Sequence, residues 1–340
     1  MWKWIRPIVG VVVLLSAACG ESQPPPPAAA PAPATRTADQ RVQWYQDCWR
    51  LFNEKNWDSF QNCYTENATS ETIDSGQPVR HGRAEIIAFD KARTPPFPDQ
   101  RGDVRLILHN GSRLASVVIW TATNDGDMPG PDGKMITATH KKVGQYLAHT
   151  VELDGAGMLA AADAVYADDG TTMAQIGLSK APSRPVMAAV GTPATVVIAK
   201  NDDTERANIA AFQALVDQVN KHDLKTFGAS LPDDYKAIDI TEPKDDNKAS
   251  SLEALNGFVS AFPDMALSAD TVWAAGDYVV VSGHFRGTNK GAMPAMGLAK
   301  ATNKPVDVKF LEIFKFAGGK VKEDWTFYNG AAFATQLGLK

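Results

Sequence analysis

The sequence predicts an α+β protein made of two tandem copies of one domain, in which a curved, mostly antiparallel sheet packs on N-terminal helices. The first observation is a repeat. Phe97-Pro98-Asp99 recurs 165 residues later as Phe262-Pro263-Asp264, and Thr123-Asn124 recurs at the same offset as Thr288-Asn289. A repeat of this length duplicates a whole domain, because solenoid units run about 20–50 residues. The second observation is that helix-forming segments precede strand-forming ones in each copy, an order typical of α+β domains.

Residues 1–18 are typical of an export signal. Lys3 and Arg6 make the start positive, an apolar run follows, and small residues precede Cys19. A Cys directly after such a run resembles a bacterial lipoprotein signal, which implies that the Cys19 thiol is lipidated and becomes the new N-terminus. An ordinary signal peptide and a retained membrane helix stay open as alternatives.

Residues 19–38 comprise this Cys and a Pro/Ala-rich tether, in which Pro24–Pro27 favours an extended spacer. The net charge of −5 becomes more negative once residues 1–18 leave, and no basic patch interrupts it, so nucleic acid is not an expected partner. We therefore expect a lipid-anchored, extracytoplasmic protein of a bacterial cell envelope. Gly20 slightly favours the outer membrane.

Cys48 and Cys63 are the two cysteines that follow Cys19, and both fall in predicted helices of the first copy. An exported location favours a disulfide between them, and a pair of buried thiols is the alternative. Two cysteines without a neighbouring His are too few ligands for a metal. We expect neither a metal site nor a cofactor.

Each copy begins with apolar residues at helical spacing. They are Tyr45, Cys48, Trp49 and Phe52 in the first copy and Phe212, Leu215, Val216 and Val219 in the second. Two more helices are predicted in each copy, over Trp57–Tyr64 and Ala84–Arg93, and over Leu224–Ser230 and Ser251–Phe262. Pro263 ends the last of these.

The remainder of each copy is rich in β-branched and aromatic residues and predicts strands. The predicted strands are Thr69–Ile73, Arg113–Thr123 and Lys134–Leu153 in the first copy, and Tyr235–Ile240, Tyr278–Thr288 and Val306–Phe316 in the second. The predicted domains are residues 39–178 and 205–340. Residues 179–204 form a linker, whose Val196-Val197-Ile198 is suited to an edge strand.

Three motifs of the second copy resemble a known family. They are Gly287-Thr288-Asn289-Lys290-Gly291, the strand Gly319–Trp325, and Gln336-Leu337-Gly338. These are similar to the Gly-Thr-His-Thr-Gly, Gly-Lys-Ile-x-Glu-x-Trp and Gln-Leu-Gly of the SnoaL-like polyketide cyclase and ester cyclase branch of the nuclear transport factor 2-like superfamily. The resemblance implies cone-like domains with an apolar pocket open at one end. It also implies pairing through the outer faces of the sheets, which a tandem copy would reproduce as an intrachain pseudo-dimer.

Enzymes of this branch are similar in using one pocket carboxylate near the end of the last strand as general acid/base. Counting back from the tail places Asp168 there in the first copy and Asn329 in the second, and an amide cannot exchange a proton. Asp168-Asp169-Gly170 is alternatively an ordinary turn. His149 alternates with apolar residues along its strand, so it is expected to pair with Asp168, to donate to a ligand, or to be a core or edge histidine.

Further pocket or ligand candidates are Asp163, Trp120, His284, Arg286, Asp324 and Asn329. Asp163 and Asp324 occupy corresponding positions, and the favoured interpretation places both on an exposed strand face. His284 and Arg286 share one strand face, where they bind an anion or, as the pattern favours, face solvent.

Together these features favour a membrane-tethered protein that binds a small apolar molecule or a protein partner without turnover. The alternative is an enzyme of cyclase, isomerase or hydrolase type that uses a pocket Asp of the first copy. A third possibility, a purely structural module, requires both pockets to be filled by side chains such as Trp120, Trp273 and Trp325.

Overall fold

Helices pack on one face of a curved sheet in each copy, in a computed structural model that describes residues 35–130 and 134–339. The first copy comprises α1 (Ala38–Asn53), α2 (Trp57–Phe60), β1 (Tyr64–Thr72), β2 (Arg80–His81), α3 (Arg83–Arg93), β3 (Arg101–Asn110), β4 (Arg113–Thr123), β5 (Met128–Pro129), β6 (Met135–Ile136), β7 (Lys142–Leu153), β8 (Ala160–Tyr166), α4 (Asp169–Gln175) and β9 (Thr195–Ile198). The second comprises α5 (Asp203–Asn220), α6 (Leu224–Ser230), β10 (Lys236–Asp239), β11 (Asp246–Asn247), α7 (Lys248–Ala261), β12 (Ala266–Ala275), β13 (Tyr278–Thr288), β14 (Pro305–Ala317), β15 (Lys320–Phe327) and α8 (Gly330–Leu337). The predicted export signal and Cys19, the predicted lipidation site, lie outside the described residues.

In the described residues the strands form two large sheets of similar topology and a separate two-stranded sheet of β5 and β6. The orders of the two large sheets are β2-β1-β8-β7-β4-β3-β9 and β11-β10-β15-β14-β13-β12. The long central strands pair antiparallel, whereas β1 with β8, β10 with β15 and β3 with β9 pair parallel. The predicted α+β class is confirmed, and so is the edge strand over residues 196–198, which lies in β9.

The long first helix of each copy is tied to its own sheet by the same asparagine. The Asn53 amide donates to the Gly102 carbonyl and accepts from the Gly102 N–H. Asn220 makes the same two bonds with Leu267. Asn53 and Gly102 are 49 residues apart in the sequence, and Asn220 and Leu267 are 47 apart. The sequence repeat is therefore accompanied by a repeat of side-chain contacts.

The two sheets pack through the faces that point away from their helices. Val117 and Ala148 of the first sheet share one buried core with Val280 and Leu311 of the second. Trp273 also lies in this core. Polar contacts join the two copies at its margin, among them an ion pair of 2.7 Å between Lys309 Nζ and Glu71 Oε1.

The predicted disulfide joins Cys48 of α1 to Cys63, which ends a short 3₁₀ turn after α2. The two Cα atoms are 6.1 Å apart, and both residues are buried. The bond holds the first two helical segments together on one side of the first copy. In the described part of the chain, no helix is long and apolar enough to cross a membrane.

Candidate active site

A cavity of about 480 Å³ lies in the first copy, lined by α1, α3 and the helix-facing side of the sheet. This volume suits a drug-sized ligand, for which pockets of roughly 300–1,000 Å³ are usual. Much of the wall is aromatic. The rings belong to Trp44, Trp49, Phe52, Phe60, Phe89, Phe97 and Trp120.

A chain of hydrogen bonds runs along the wall of the cavity to a buried carboxylate. His149 Nε2 lies 3.3 Å from Asp163 Oδ2, and His149 Nδ1 lies 2.8 Å from the Tyr45 hydroxyl. The Tyr45 oxygen is in turn 2.6 Å from Ser116 Oγ. One set of proton positions satisfies all three contacts: Ser116 donates to Tyr45, Tyr45 donates to Nδ1, and Nε2–H donates to Asp163. The imidazole is therefore held by a bond at each nitrogen.

Asp163 has one oxygen engaged and one oxygen free. The Tyr64 hydroxyl donates to Oδ2 over 2.7 Å, whereas Oδ1 hydrogen-bonds with none of the described residues. Burial raises the pKa of this carboxyl, but its interactions with His149, Ser70 and Tyr64 together outweigh burial, and the net pKa lies below the ordinary value. Asp163 is therefore ionised at neutral pH, and its buried Oδ1 has no hydrogen-bond partner among the described residues.

A second carboxyl, Asp90 of α3, lines the same cavity. Its pKa is raised to about 7, mainly by burial; the charge of Arg93 opposes the rise, the charge of Asp163 adds to it, and that of Arg80 opposes it. Two carboxyls whose environments push their pKa values apart form a typical acid/base arrangement. Sequence reasoning missed Asp90. The corresponding residue, 165 positions later, is Leu255, so comparison of the copies was the signal that would have found it.

The second copy fills the equivalent space with aromatic rings. Phe258, Phe285 and Phe333 occupy the positions of the cavity residues Arg93, Trp120 and Thr172. Phe258 and Phe333 stack with ring centres 6.2 Å apart, and Phe285 lies edge-on to both at 5.9 and 6.1 Å. The third possibility raised by the sequence required both pockets to be filled, and the open cavity of the first copy contradicts it.

The His149 position is also changed in the second copy. His149 pairs with Ser116 across β4 and β7, and Glu312 occupies the matching register in β13 and β14. Asp324 keeps the position of Asp163, and Tyr235 donates to it over 2.8 Å. Burial, followed by the charge of Asp324, raises the pKa of Glu312 to about 8, and burial raises the pKa of Asp324 to about 7. The second copy therefore has two carboxyls where the first has a histidine and a carboxylate.

The structure does not bring Asp168 and His149 together. Asp168 is the N-cap of α4 and accepts from the backbone N–H groups of Gly170 and Thr171, while a third N–H donor, that of Gly330, comes from the second copy. Its carboxylate thus serves as a helix cap at the contact between the copies. The expected pairing is wrong because the strand register sets His149 beside Asp163 instead.

The exposed-face interpretation of Asp163 and Asp324 is also wrong. Their residue exposures are 9% and 7%, because both side chains point toward the helices of their own copy. Trp120 lines the cavity, as proposed for it. Asn329 caps α8 and donates to the Asp169 carboxylate.

His284 and Arg286 lie two residues apart on one face of β13 and share one partner. Both contact the carboxylate of Asp307. Burial raises the pKa of that carboxyl, but His284 and Arg286 together outweigh burial and lower the pKa below its ordinary value. The pair is thus already neutralised by an acidic residue of its own copy. Neither residue lies among those that line the cavity of the first copy.

The fold and the cavity define a tandem α+β protein of the kind that holds small molecules inside a helix-capped sheet. A family model of SnoaL-like polyketide cyclases matches residues 39–176 and again residues 209–337. The chain therefore belongs to the SnoaL-like polyketide cyclase family. No curated protein matches the chain.

Solved structures similar to this chain each match a single copy. AclR from Streptomyces galilaeus is 23% identical, with 39% of this chain and 82% of that chain covered and a TM-score of 0.36. A protein of Jannaschia sp. CCS1 named for the same family is 18% identical, with coverages of 41% and 96% and a TM-score of 0.37. IdmH from Streptomyces antibioticus is 21% identical, with coverages of 39% and 99% and a TM-score of 0.34.

Proposed function

We propose that the first domain is an acid–base catalytic domain acting on an apolar substrate, and that the second domain is its structural mate. The observation that carries this proposal is the buried His149–Asp163 pair on the wall of an open aromatic cavity, with Asp163 Oδ1 free. The geometry favours turnover over binding alone. A pocket that only binds apolar molecules gains nothing from an ionised carboxylate, whose burial costs free energy.

In this proposal Asp163 removes a proton from a carbon next to a carbonyl group. Its Oδ1 accepts the proton, while His149 and Tyr64 hold Oδ2 and fix the orientation of the carboxylate. An apolar ligand that displaces water raises the pKa of Asp163 from its low resting value and so makes it a stronger base. Asp90, with a pKa of about 7, is suited to donate a proton to the carbonyl oxygen at neutral pH.

The second domain contributes the sheet face against which the first domain packs. Phe258, Phe285 and Phe333 pack together in the corresponding space. Its Asp324 accepts from Tyr235 and has the carboxyl of Glu312 nearby instead of a histidine. Duplication thus supports one open site on a doubled scaffold. Asp324 therefore serves as the matched control for Asp163.

The test is proton exchange on a defined probe. The protein is incubated with 2-tetralone in D₂O, and loss of the C1 proton signal is followed by NMR. We expect the wild type to accelerate exchange and Asp163→Asn to lower that acceleration by about 10²–10⁴-fold, the usual contribution of a general base. Asp324→Asn should leave the rate unchanged.

Two outcomes contradict the proposal. One is an Asp163→Asn variant that exchanges as fast as the wild type. The other is a wild type that binds 2-tetralone, as shown by titration calorimetry, without accelerating exchange, and this outcome restores the interpretation of binding without turnover.

We further propose that the protein is tethered outside the cytoplasm through lipid on Cys19. The sequence of residues 1–19 and the disulfide between Cys48 and Cys63 support this, since disulfides persist in oxidising compartments. Cys19→Ala should prevent incorporation of a labelled fatty acid and release the protein from the membrane fraction. Continued labelling of Cys19→Ala, or a wild type that never labels, contradicts the tether.

A further inference from the structure

Arg80 of β2 is a buried cation in the wall of the first-domain cavity. The residue is only 6% exposed and lines the cavity. Its Nη2 donates to the hydroxyls of Ser70 and Thr72 at 2.9 and 3.3 Å. Within the described residues, Nε and Nη1 have no hydrogen-bond partner, and no carboxylate forms an ion pair with the guanidinium. A buried charge without a close counter-charge is costly, so an anion close to it is stabilised.

A second cation, Arg93 of α3, lies at the same end of the cavity. The guanidinium carbons of Arg80 and Arg93 lie 4.2 and 5.4 Å from the ring centre of Phe89. Arg93 also approaches Trp120, at 6.0 Å. Two positive charges thus adjoin the aromatic wall, where an apolar ligand body packs.

Three carboxyls line the cavity together with these cations: Asp163, Asp90 and Asp169. Asp163 bonds to His149 and Tyr64, and Asp169 accepts from Asn329. Burial is the main cause that raises the pKa of Asp90 to about 7, and burial also raises the pKa of Asp169. Among the described residues none of the three forms an ion pair with Arg80 or Arg93, so the two cations have no close counter-charge.

The second copy lacks both cations, and this is an independent observation. Arg80 lies opposite Ser70 in β1 and β2, and Asp246 lies opposite Ala237 at the matching register of β10 and β11. The position of Arg93 is taken by Phe258. The cations are therefore present only in the copy whose cavity is open, which associates them with the ligand and not with the fold.

We propose that the ligand of the first-domain cavity is a hydrophobic carboxylate. Its acidic group lies at the Arg80–Arg93 end, and its apolar body lies against the aromatic wall. This inference names the substrate class of the site proposed above and rests on that proposal for catalysis, whereas binding of the anion requires no turnover.

The experiment compares a carboxylate with a neutral molecule of the same shape. Titration calorimetry on the full-length protein at pH 7.5 uses anthracene-2-carboxylate and anthracene-2-carboxamide. Charge-assisted hydrogen bonds predict that the acid binds about 10–100-fold more tightly than the amide. Arg80→Gln and Arg93→Gln should each lower the affinity for the acid and leave the affinity for the amide unchanged. Arg113→Gln, which removes an exposed arginine paired with Glu152, should change neither.

Equal wild-type affinities for acid and amide overturn the inference. So does an Arg80→Gln variant that keeps its far-UV circular dichroism spectrum and loses acid and amide binding equally. Should Arg80→Gln fail to fold, Arg93→Gln and the wild-type comparison decide. If the protein does not accelerate 2-tetralone exchange but still binds the acid more tightly than the amide, only the acid–base proposal is contradicted. If exchange is accelerated and depends on Asp163, but the acid and the amide bind equally, only the carboxylate inference is contradicted.

Discussion

Phe333→Ala tests whether the second domain has lost its cavity through filling by aromatic rings. Phe333 is 2% exposed and lies 6.0–6.5 Å, centre to centre, from four other rings. Truncation of a buried Phe costs about 3–5 kcal/mol, because the transfer free energy is lost and a cavity remains. Several aromatic pairs, each worth about 0.5–1.5 kcal/mol, break at once, so we expect the upper part of this range.

The matched variant is Thr172→Ala at the corresponding position of the first domain. Thr172 borders the open cavity and accepts one hydrogen bond from Gln145, of 2.7 Å. Its truncation removes that bond and leaves no new buried void, so the expected cost is about 1 kcal/mol.

Urea unfolding followed by far-UV circular dichroism measures both variants, with the free energy extrapolated to water. Phe333→Ala should also gain affinity for benzene, as an apolar cavity of this kind does. Equal costs for Phe333→Ala and Thr172→Ala would refute the reasoning, since they would mean that the rings of the second domain are no better packed than the open wall of the first.

Two further predictions concern stability. Replacing Cys48 and Cys63 by Ala should lower the free energy of unfolding, measured by urea titration, by about 3 kcal/mol because the disulfide closes a loop with a sequence separation of 15. A loss of less than about 1 kcal/mol would contradict this account. Glu312 has a folded pKa of about 8, above its ordinary 4.5, so the folded state holds a proton that the unfolded state has released and stability falls as pH rises through that window. Glu312→Gln should flatten this fall, as measured by urea midpoints at pH 5 and pH 8.5, and an unchanged slope would show that other groups, such as Asp324, cause it.

Local patterns predicted much of the architecture. The apolar spacing of Tyr45, Cys48 and Phe52 places one face of α1 against the sheet, and all three positions lie in the first-domain core. The repeat predicted two domains of equal topology because burial and hydrogen bonding at corresponding positions depend on the same local sequence. Asn53 is an example, since its reciprocal bonds recur at Asn220.

The acid–base site was harder to predict because it depends on strand register. Motif counting from the tail selected Asp168, a turn residue, whereas Asp163 was assigned to an exposed face. A one-residue difference in counting reverses the face on which a strand side chain lies. His149 was recognised as a candidate, but its partner became known only when β7 and β8 were paired.

The amino-acid sequence by itself determined the duplication and the helix-then-strand order, because both depend on local composition and spacing. The tertiary structure alone decided which copy keeps an open cavity and which carboxylate faces it. Both outcomes depend on side chains distant in sequence: Arg80, Asp90 and Asp163 come from three different elements and meet only after the sheet has curved round its helices.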